Sequence, residues 1–305
     1  MLKGTRFIAA LASLAVLGLA TAAVAFAATI IGTVGPDQLT GTPDADQITA
    51  KGGADEVAAL AGADQVDAGS GDDRVRAGDG ADRVIGRSGS DRLVGGNGGD
   101  DLRGRAGRDL LIGNHGDDTL VGDQPNVGER PSPDRAFAGP GEDTVVGGDS
   151  FDRLHGGADN DRVVAGNGGG DVTSGGAGDD VSRGGRGDDR VFANRGVDKS
   201  FGGPGDDALW ALARADVTAP GDTIGDTLHG EGGDDRFRTR DGEVDRIDCG
   251  AGSDTALLDP FDVIVDASTS DPDGSCERVE RAEPRPGEDG PENGTESPAE
   301  DSLAR

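Results

Sequence analysis

A nine-residue unit recurs along most of this sequence, and its period restricts the possible folds more than any other feature. From Asp37 to Asp118 an aspartate stands at every ninth position without a break, and an aliphatic residue follows it two positions later. A fixed short period indicates one structural unit stacked on itself. Nine residues are too few for a helical hairpin, and the recurring glycines disfavour a helix. We therefore predict that each unit consists of a tight turn and a short strand.

The pattern is interrupted by two insertions and one slip. After the first insertion, at about residues 124–138, the aspartates resume at Asp143. The register slips by one residue near Gly170, which stands where an aspartate belongs, so we expect this turn to bind a ligand poorly. After the second insertion, at about 213–228, the pattern continues at Asp235.

The unit predicts a parallel β-solenoid over residues 28–239. Around the aliphatic residue lies a tripeptide such as Arg83-Val84-Ile85, long enough for a minimal strand with one side chain pointing inwards. The residues before it form the turn, where glycine supplies positive φ angles. Two units make one coil, so the aliphatic side chains form two facing layers of a thin core. The predicted fold class is all-β, a right-handed parallel β-solenoid of nonapeptide repeats.

The recurring aspartate predicts a row of metal sites. Neighbouring coils of a parallel solenoid lie about 4.8 Å apart, so aspartates two units apart line one edge of the stack. Carboxylates at that spacing repel one another, and a cation between them removes the repulsion. Carboxylates and the carbonyls of tight turns are the oxygen ligands that Ca²⁺ prefers. The aspartates predicted to bind Ca²⁺ are Asp73, Asp82, Asp91, Asp100, Asp109, Asp118, Asp143, Asp152, Asp161, Asp180, Asp189, Asp207 and Asp235.

Three units, at residues 95–103, 184–192 and 202–210, match the pattern G-G-x-G-x-D-x-(aliphatic)-x in full. They resemble the haemolysin-type calcium-binding repeat, also called the RTX nonapeptide, and the resemblance extends over roughly residues 33–256. It implies a parallel β-roll that binds several Ca²⁺ ions in its turns. Some units depart from the pattern at the fourth position, and we expect weaker binding there. The departing residues are Asp44, Ser150 and Asp159.

The composition supports cations as ligands and excludes nucleic acid. The chain carries 59 acidic and 29 basic residues, for a net charge of -30, and only 33% of its residues are hydrophobic. Nucleic-acid binding needs a basic surface, which this balance does not provide. Low hydrophobicity with high charge is also typical of disorder, so a disordered acidic polyelectrolyte is an alternative to the solenoid.

The first 27 residues predict secretion. Lys3 and Arg6 form a charged start, residues 7–20 are almost wholly apolar, and Ala25-Phe26-Ala27 fits a signal-peptide cleavage site. We therefore expect an extracellular protein with no membrane span after cleavage. The alternative is an uncleaved segment that anchors the chain in the membrane.

The C-terminal part departs from the repeat. Cys249 and Cys276 are the two cysteines of the chain, and an even number in an exported protein favours a disulfide. Solenoids need a terminal cap, and we predict that residues 240–281 form a disulfide-linked cap. A partner-binding module is the alternative. Residues 282–305 are rich in Pro, Glu, Asp and Ser, which predicts a disordered acidic tail.

The sequence does not predict an enzyme. Its three histidines, at 115, 155 and 229, lie in different units, and the H-E-x-x-H, G-x-S-x-G and C-x-x-C motifs do not occur. The predicted role is structural or adhesive, with the cell envelope, an extracellular matrix or a host surface as partner. The alternative is a secreted polysaccharide-active enzyme on a β-solenoid scaffold.

Overall fold

The structure of the chain is a computed structural model, which describes residues 6–8, 27–123, 132–211 and 225–283. The chain divides into two compact units, Met1–Ala138 and Gly139–Arg305. Most of the predicted signal peptide and the predicted tail beyond residue 283 lie outside the described residues. Within the described ranges every regular element is a strand, and none is a helix.

The first unit contains short strands of three to six residues. They are β1 (Arg6–Ile8), β2 (Thr29–Ile31), β3 (Asp37–Thr40), β4 (Gln47–Thr49), β5 (Glu56–Ala61), β6 (Gln65–Ser70), β7 (Arg74–Asp79), β8 (Arg83–Ser88), β9 (Arg92–Asn97), β10 (Asp101–Ala106), β11 (Leu110–His115), β12 (Thr119–Val121) and the first residues of β13 (Arg135–Pro140).

The second unit contains strands of two to six residues. They are β14 (Thr144–Asp149), β15 (Arg153–Ala158), β16 (Arg162–Asn167), β17 (Val172–Ala177), β18 (Val181–Arg186), β19 (Arg190–Arg195), β20 (Lys199–Pro204), β21 (Ala208–Trp210), β22 (Thr227–Gly232), β23 (Arg236–Thr239), β24 (Arg246–Asp248), β25 (Thr255–Leu258), β26 (Val263–Ile264) and β27 (Arg278–Arg281).

Consecutive strands alternate between two parallel sheets in each unit. In the first unit the odd-numbered strands form one sheet and the even-numbered strands form the other, and the second unit repeats this order. The pairing of β7 with β9 aligns Val75 with Leu93, so two repeats make one coil. β1 lies within the predicted signal peptide and pairs in parallel with β3. The prediction of an all-β, parallel β-solenoid consistent with a β-roll is confirmed.

The core consists of two narrow layers of inward side chains. In β7 the residues two and four positions after the aspartate, Val75 and Ala77, are buried, and the other strands repeat this pattern. In the second unit three positions two residues after a ladder aspartate carry buried hydroxyl groups instead of an aliphatic side chain, at Thr173, Ser182 and Ser200. Around these hydroxyl groups, the core of the second unit buries less apolar surface than the core of the first unit.

The repeat resumes earlier after both insertions than the sequence pattern predicted. Asp134 is buried directly before β13, inside the predicted insertion at about 124–138. Asp226 is buried directly before β22, inside the one at about 213–228. Both aspartates therefore belong to coils.

The segment after residue 240 continues the coils. Strands β24 to β27 each pair in parallel with the strand two positions earlier. Cys249 and Cys276 form a disulfide with a Cα–Cα distance of 5.3 Å, and both belong to a buried apolar cluster that includes Phe237, Ile247 and Leu258. Residues 240–281 are thus part of the stack, and their role as a cap stays a prediction. None of the described residues forms a helix long and apolar enough to span a bilayer.

Candidate metal centres

The predicted ligands all occupy one type of position, directly before a strand. Each of the thirteen side chains named above is buried, with no more than 3% of its surface exposed. Burying an ionised carboxylate is costly unless a charge or hydrogen bonds compensate for it. What surrounds each carboxylate therefore decides what the site can bind.

At most of these aspartates, one carboxylate oxygen accepts a hydrogen bond from the preceding coil. The backbone N–H of Asp73 donates to Asp91 Oδ1 at 2.9 Å, and the N–H of Asp91 donates to Asp109 Oδ1 at 2.8 Å. The same bond links aspartates along both edges, and we call each such row a carboxylate ladder. In the first unit the ladders are Asp37, Asp55, Asp73, Asp91, Asp109, Asp134 and Asp46, Asp64, Asp82, Asp100, Asp118.

The second unit has two ladders of the same kind. In both, each backbone N–H again donates to Oδ1 of the aspartate one coil later. The ladders are Asp152, Asp171, Asp189, Asp207, Asp235, Asp254 and Asp143, Asp161, Asp180, Asp198, Asp226, Asp245, Asp262.

The second carboxylate oxygen, Oδ2, is buried without a hydrogen-bond partner at most of these turns. An unsatisfied buried acceptor costs about 1–3 kcal/mol, and more when it is charged. These buried side chains are stable in their ionised form only if a positive charge lies beside Oδ2. Within the described residues this holds for Asp55, Asp64, Asp73, Asp82, Asp91, Asp100, Asp109, Asp161, Asp171, Asp180, Asp189, Asp198, Asp207, Asp235, Asp245 and Asp254.

At several turns a glycine lies directly against the free oxygen. A Cβ on Gly86, five residues before Asp91, would overlap Asp91 Oδ2, and the equivalent glycines of other units would do the same. Other units carry a buried alanine at this position, as at Ala77 before Asp82. The next residue adopts a positive φ even where it is not glycine, as at Lys51 (82°) and Leu60 (92°). Such strain persists only where the surrounding structure imposes it, and it often marks a functional turn.

Burial makes these carboxyls hard to ionise without a metal. It raises the pKa of Asp73 to about 7 and that of Asp109 to about 8, from an ordinary 3.8. In the second unit it raises the pKa of Asp161 and of Asp207 to about 8. The N–H bond from the preceding coil lowers these pKa values, and neighbouring ladder carboxylates raise them. A cation at Oδ2 would offset both the burial and the repulsion.

The described residues contain no group of three or more His, Cys, Asp or Glu side chains that could hold a metal. A cation beside Oδ2 would therefore take its remaining ligands mainly from main-chain oxygens. Ca²⁺ accepts six to eight oxygens, including backbone carbonyls, in flexible geometry. The ladder thus suits Ca²⁺ better than a metal that needs several side-chain ligands.

Sequence reasoning missed several members of the ladders. At the slip, Asp171 and not Gly170 continues the row, because one extra residue separates it from Asp152 and the N–H of Asp152 donates to its Oδ1 at 2.7 Å. The sequence feature that identifies it is an aspartate one position later than the nine-residue period expects, with the inward Thr173 two residues further on. The other ladder aspartates of the second unit that were not predicted as ligands are Asp198, Asp226, Asp245, Asp254 and Asp262.

Two of the three predicted weak turns keep the regular backbone. Ser150 and Asp159 both adopt a positive φ, of 143° and 77°, as glycine does at the same place in other units. At Asp161, which follows Asp159, Oδ2 is buried and unpartnered. Asp44 does not adopt a positive φ, so the early unit differs in conformation as well as in sequence.

Two parallel sheets, short coils and carboxylate ladders at the turns define a β-roll with candidate cation sites. A family model of the RTX calcium-binding nonapeptide repeat matches residues 25–57, 58–93, 94–124, 137–172, 174–209 and 221–256. These segments make up more than half of the chain, and the protein belongs to this family. A comparison with curated proteins found no match.

Proposed function

We propose that this protein is a secreted calcium-binding protein whose turns bind several Ca²⁺ ions and which folds on binding them. The observation that carries the proposal is the carboxylate ladder. At Asp91 and Asp100, for example, one carboxylate oxygen accepts a hydrogen bond from the protein, and the other is buried beside glycine with no donor. The family match supports calcium as the ion.

The bound ion would supply positive charge beside Oδ2 of the ladder. With the ion in place, two neighbouring carboxylates no longer repel, and the turns that carry them become favourable. The unfolded chain has no such site, so the free energy of binding appears as free energy of folding. Extracellular modules commonly bind Ca²⁺ with dissociation constants of about 10⁻⁴ to 10⁻³ M. Sites of this affinity would be empty at the low calcium concentration inside a cell and would fill outside it.

Far-ultraviolet circular dichroism tests this proposal directly. The chain without its signal segment is compared in chelator, in Ca²⁺ and in Mg²⁺ at equal ionic strength. We expect a cooperative gain of strand signal in Ca²⁺ and little in Mg²⁺, because Mg²⁺ demands a rigid octahedral site. The same strand content with and without chelator would refute coupled folding.

A structural or adhesive role outside the cell fits the ladder and the predicted signal peptide. The outer sheet faces of each unit provide surface for such contacts, and no catalytic group is needed for this role. Secretion is tested by finding the mature chain in the culture medium and sequencing its N-terminus, which should begin near Ala28. Adhesion is tested by sedimentation with cell envelopes, which should require Ca²⁺.

A further inference from the structure

In each of the first two turns of the solenoid, a backbone N–H of the turn itself reaches the ladder aspartate. The backbone N–H of Thr42 donates to Asp46 Oδ2 at 2.5 Å, the oxygen that is unpartnered at most other turns. Asp46 Oδ1 accepts from the N–H of Ala28 at 2.5 Å and from Thr42 Oγ1 at 3.0 Å. In the turn before it, the N–H of Thr33 likewise donates to Asp37 Oδ2 at 2.5 Å.

A difference in backbone conformation explains this. The residue four positions before the aspartate has a positive φ at the next turns, where it is Lys51 or Leu60. Thr33 and Thr42 do not have a positive φ, and their N–H groups reach the carboxylate. Both turns share the sequence Gly-Thr-x-x-x-Asp-Gln, which no later unit repeats.

The last aspartate of one ladder in the second unit is satisfied in another way. Asp262 Oδ2 accepts from Thr239 Oγ1 at 2.6 Å and from the N–H of Asp259 at 2.7 Å. Its Oδ1 accepts from the N–H of Asp245 at 3.2 Å. Both oxygens of Asp262 therefore have protein donors, whereas Asp245 one coil earlier has an unpartnered Oδ2.

We propose that the turns at Asp46 and Asp262 take no calcium, and that protein donors close the ladders there. An N–H or O–H directed at Oδ2 places positive charge where the ion would lie. An ion would have to displace that donor and leave it buried without an acceptor, which is costly. This inference rests on the proposed function, since it states which turns of the ladder bind the ion.

Asp46 lies in the first coils of the first unit, and Asp262 lies in the last coils of the second unit. A solenoid needs terminal repeats that do not depend on a further neighbour. Thr42 satisfies the ladder carboxylate of Asp46, and Thr239 that of Asp262, without a metal. Calcium would then be required by the remaining coils of each unit.

Counting bound calcium on single variants of the full chain tests the inference. Asp46→Asn and Asp262→Asn are compared with Asp82→Asn and Asp180→Asn. Asp82 belongs to the same ladder as Asp46, and Asp180 to the same ladder as Asp262, but Oδ2 of each is unpartnered. The measurement is equilibrium dialysis at saturating Ca²⁺, with native mass spectrometry to count ions. We expect the first two variants to bind as many ions as the wild type, and the other two to lose at least one ion each.

Loss of ions in Asp46→Asn or Asp262→Asn equal to that in Asp82→Asn would overturn the inference while leaving the proposed function intact. A wild-type chain that binds no calcium would overturn both. Hydrogen exchange on the unmodified, calcium-saturated chain gives an answer even if a variant fails to fold. The amide of Thr42 should exchange slowly, because Asp46 remains its acceptor, and fast exchange would contradict the inference.

Discussion

At the residue scale, the two oxygens of one aspartate have different roles. In Asp91, Oδ1 accepts a hydrogen bond from the coil before, which fixes the side chain, and Oδ2 is left buried beside Gly86. The period predicted which aspartates line the edges. It did not predict the end turns, because their state depends on the backbone at Thr42 and on the Thr239 hydroxyl, which comes from a distant position in the sequence.

The glycine beside Oδ2 is open to a single-residue test. Gly86→Ala should destabilise the calcium-loaded chain by about 1–3 kcal/mol, the usual cost of forcing atoms into a packed site. Gly86 does not have a positive φ, so the effect is steric. Calcium titrations and denaturant unfolding measure it. Gly35→Ala is the control, because a Cβ there meets no atom within 4 Å, and an equal loss in both variants would contradict the account.

At the element scale, each strand contributes little to the core and depends on its neighbours. The alternation in β7 and the other strands was predictable, since period-two burial follows from strand geometry. The inward hydroxyls at Thr173, Ser182 and Ser200 were not, because the slip near Gly170 shifted the register by one residue. The pairing of β15 with β17 aligns Leu154 with Thr173 and so fixes the register after the slip.

Two buried threonines in the second unit should respond in opposite directions to the same substitution. Thr173 Oγ1 is buried without a partner, so Thr173→Val should raise stability by about 1 kcal/mol, because an isosteric methyl removes an unsatisfied hydroxyl. Thr239 Oγ1 donates to Asp262 at 2.6 Å, so Thr239→Val should lower stability by about 1–3 kcal/mol. Thermal unfolding in saturating Ca²⁺ measures both, and a stabilised Thr239→Val would be inconsistent with this geometry.

At the scale of the whole molecule, the net charge of -30 and the thin core follow from the same repeat. Each coil adds two buried aspartates, so the metal-free chain accumulates a cost that grows with length. The overall fold was predictable because one unit is repeated many times. The bounds of the insertions were not, because Asp134 and Asp226 restart the coils after segments with no period of their own.

The metal-free chain should depend on pH in a defined direction. The pKa of Asp64 is raised to about 6, that of Asp100 to about 7 and that of Asp109 to about 8, mainly by burial. The folded chain therefore holds more protons than the unfolded chain, whose aspartates titrate near 3.8, and its stability falls as pH rises from about 4 to about 8. In chelator, strand signal in circular dichroism should increase as pH is lowered from about 8 to about 5. A decrease over that range would contradict these pKa shifts.

In the calcium-loaded protein, we expect calcium to lie beside Oδ2 of the inner ladder carboxylates. Anomalous diffraction from crystals of the calcium-saturated chain tests it most directly, because it locates each ion. The account predicts anomalous peaks next to Oδ2 of aspartates such as Asp82 and Asp189, and none at Asp46 or Asp262. Peaks confined to exposed carboxylates such as Asp188, or the absence of peaks along the ladders, would contradict it.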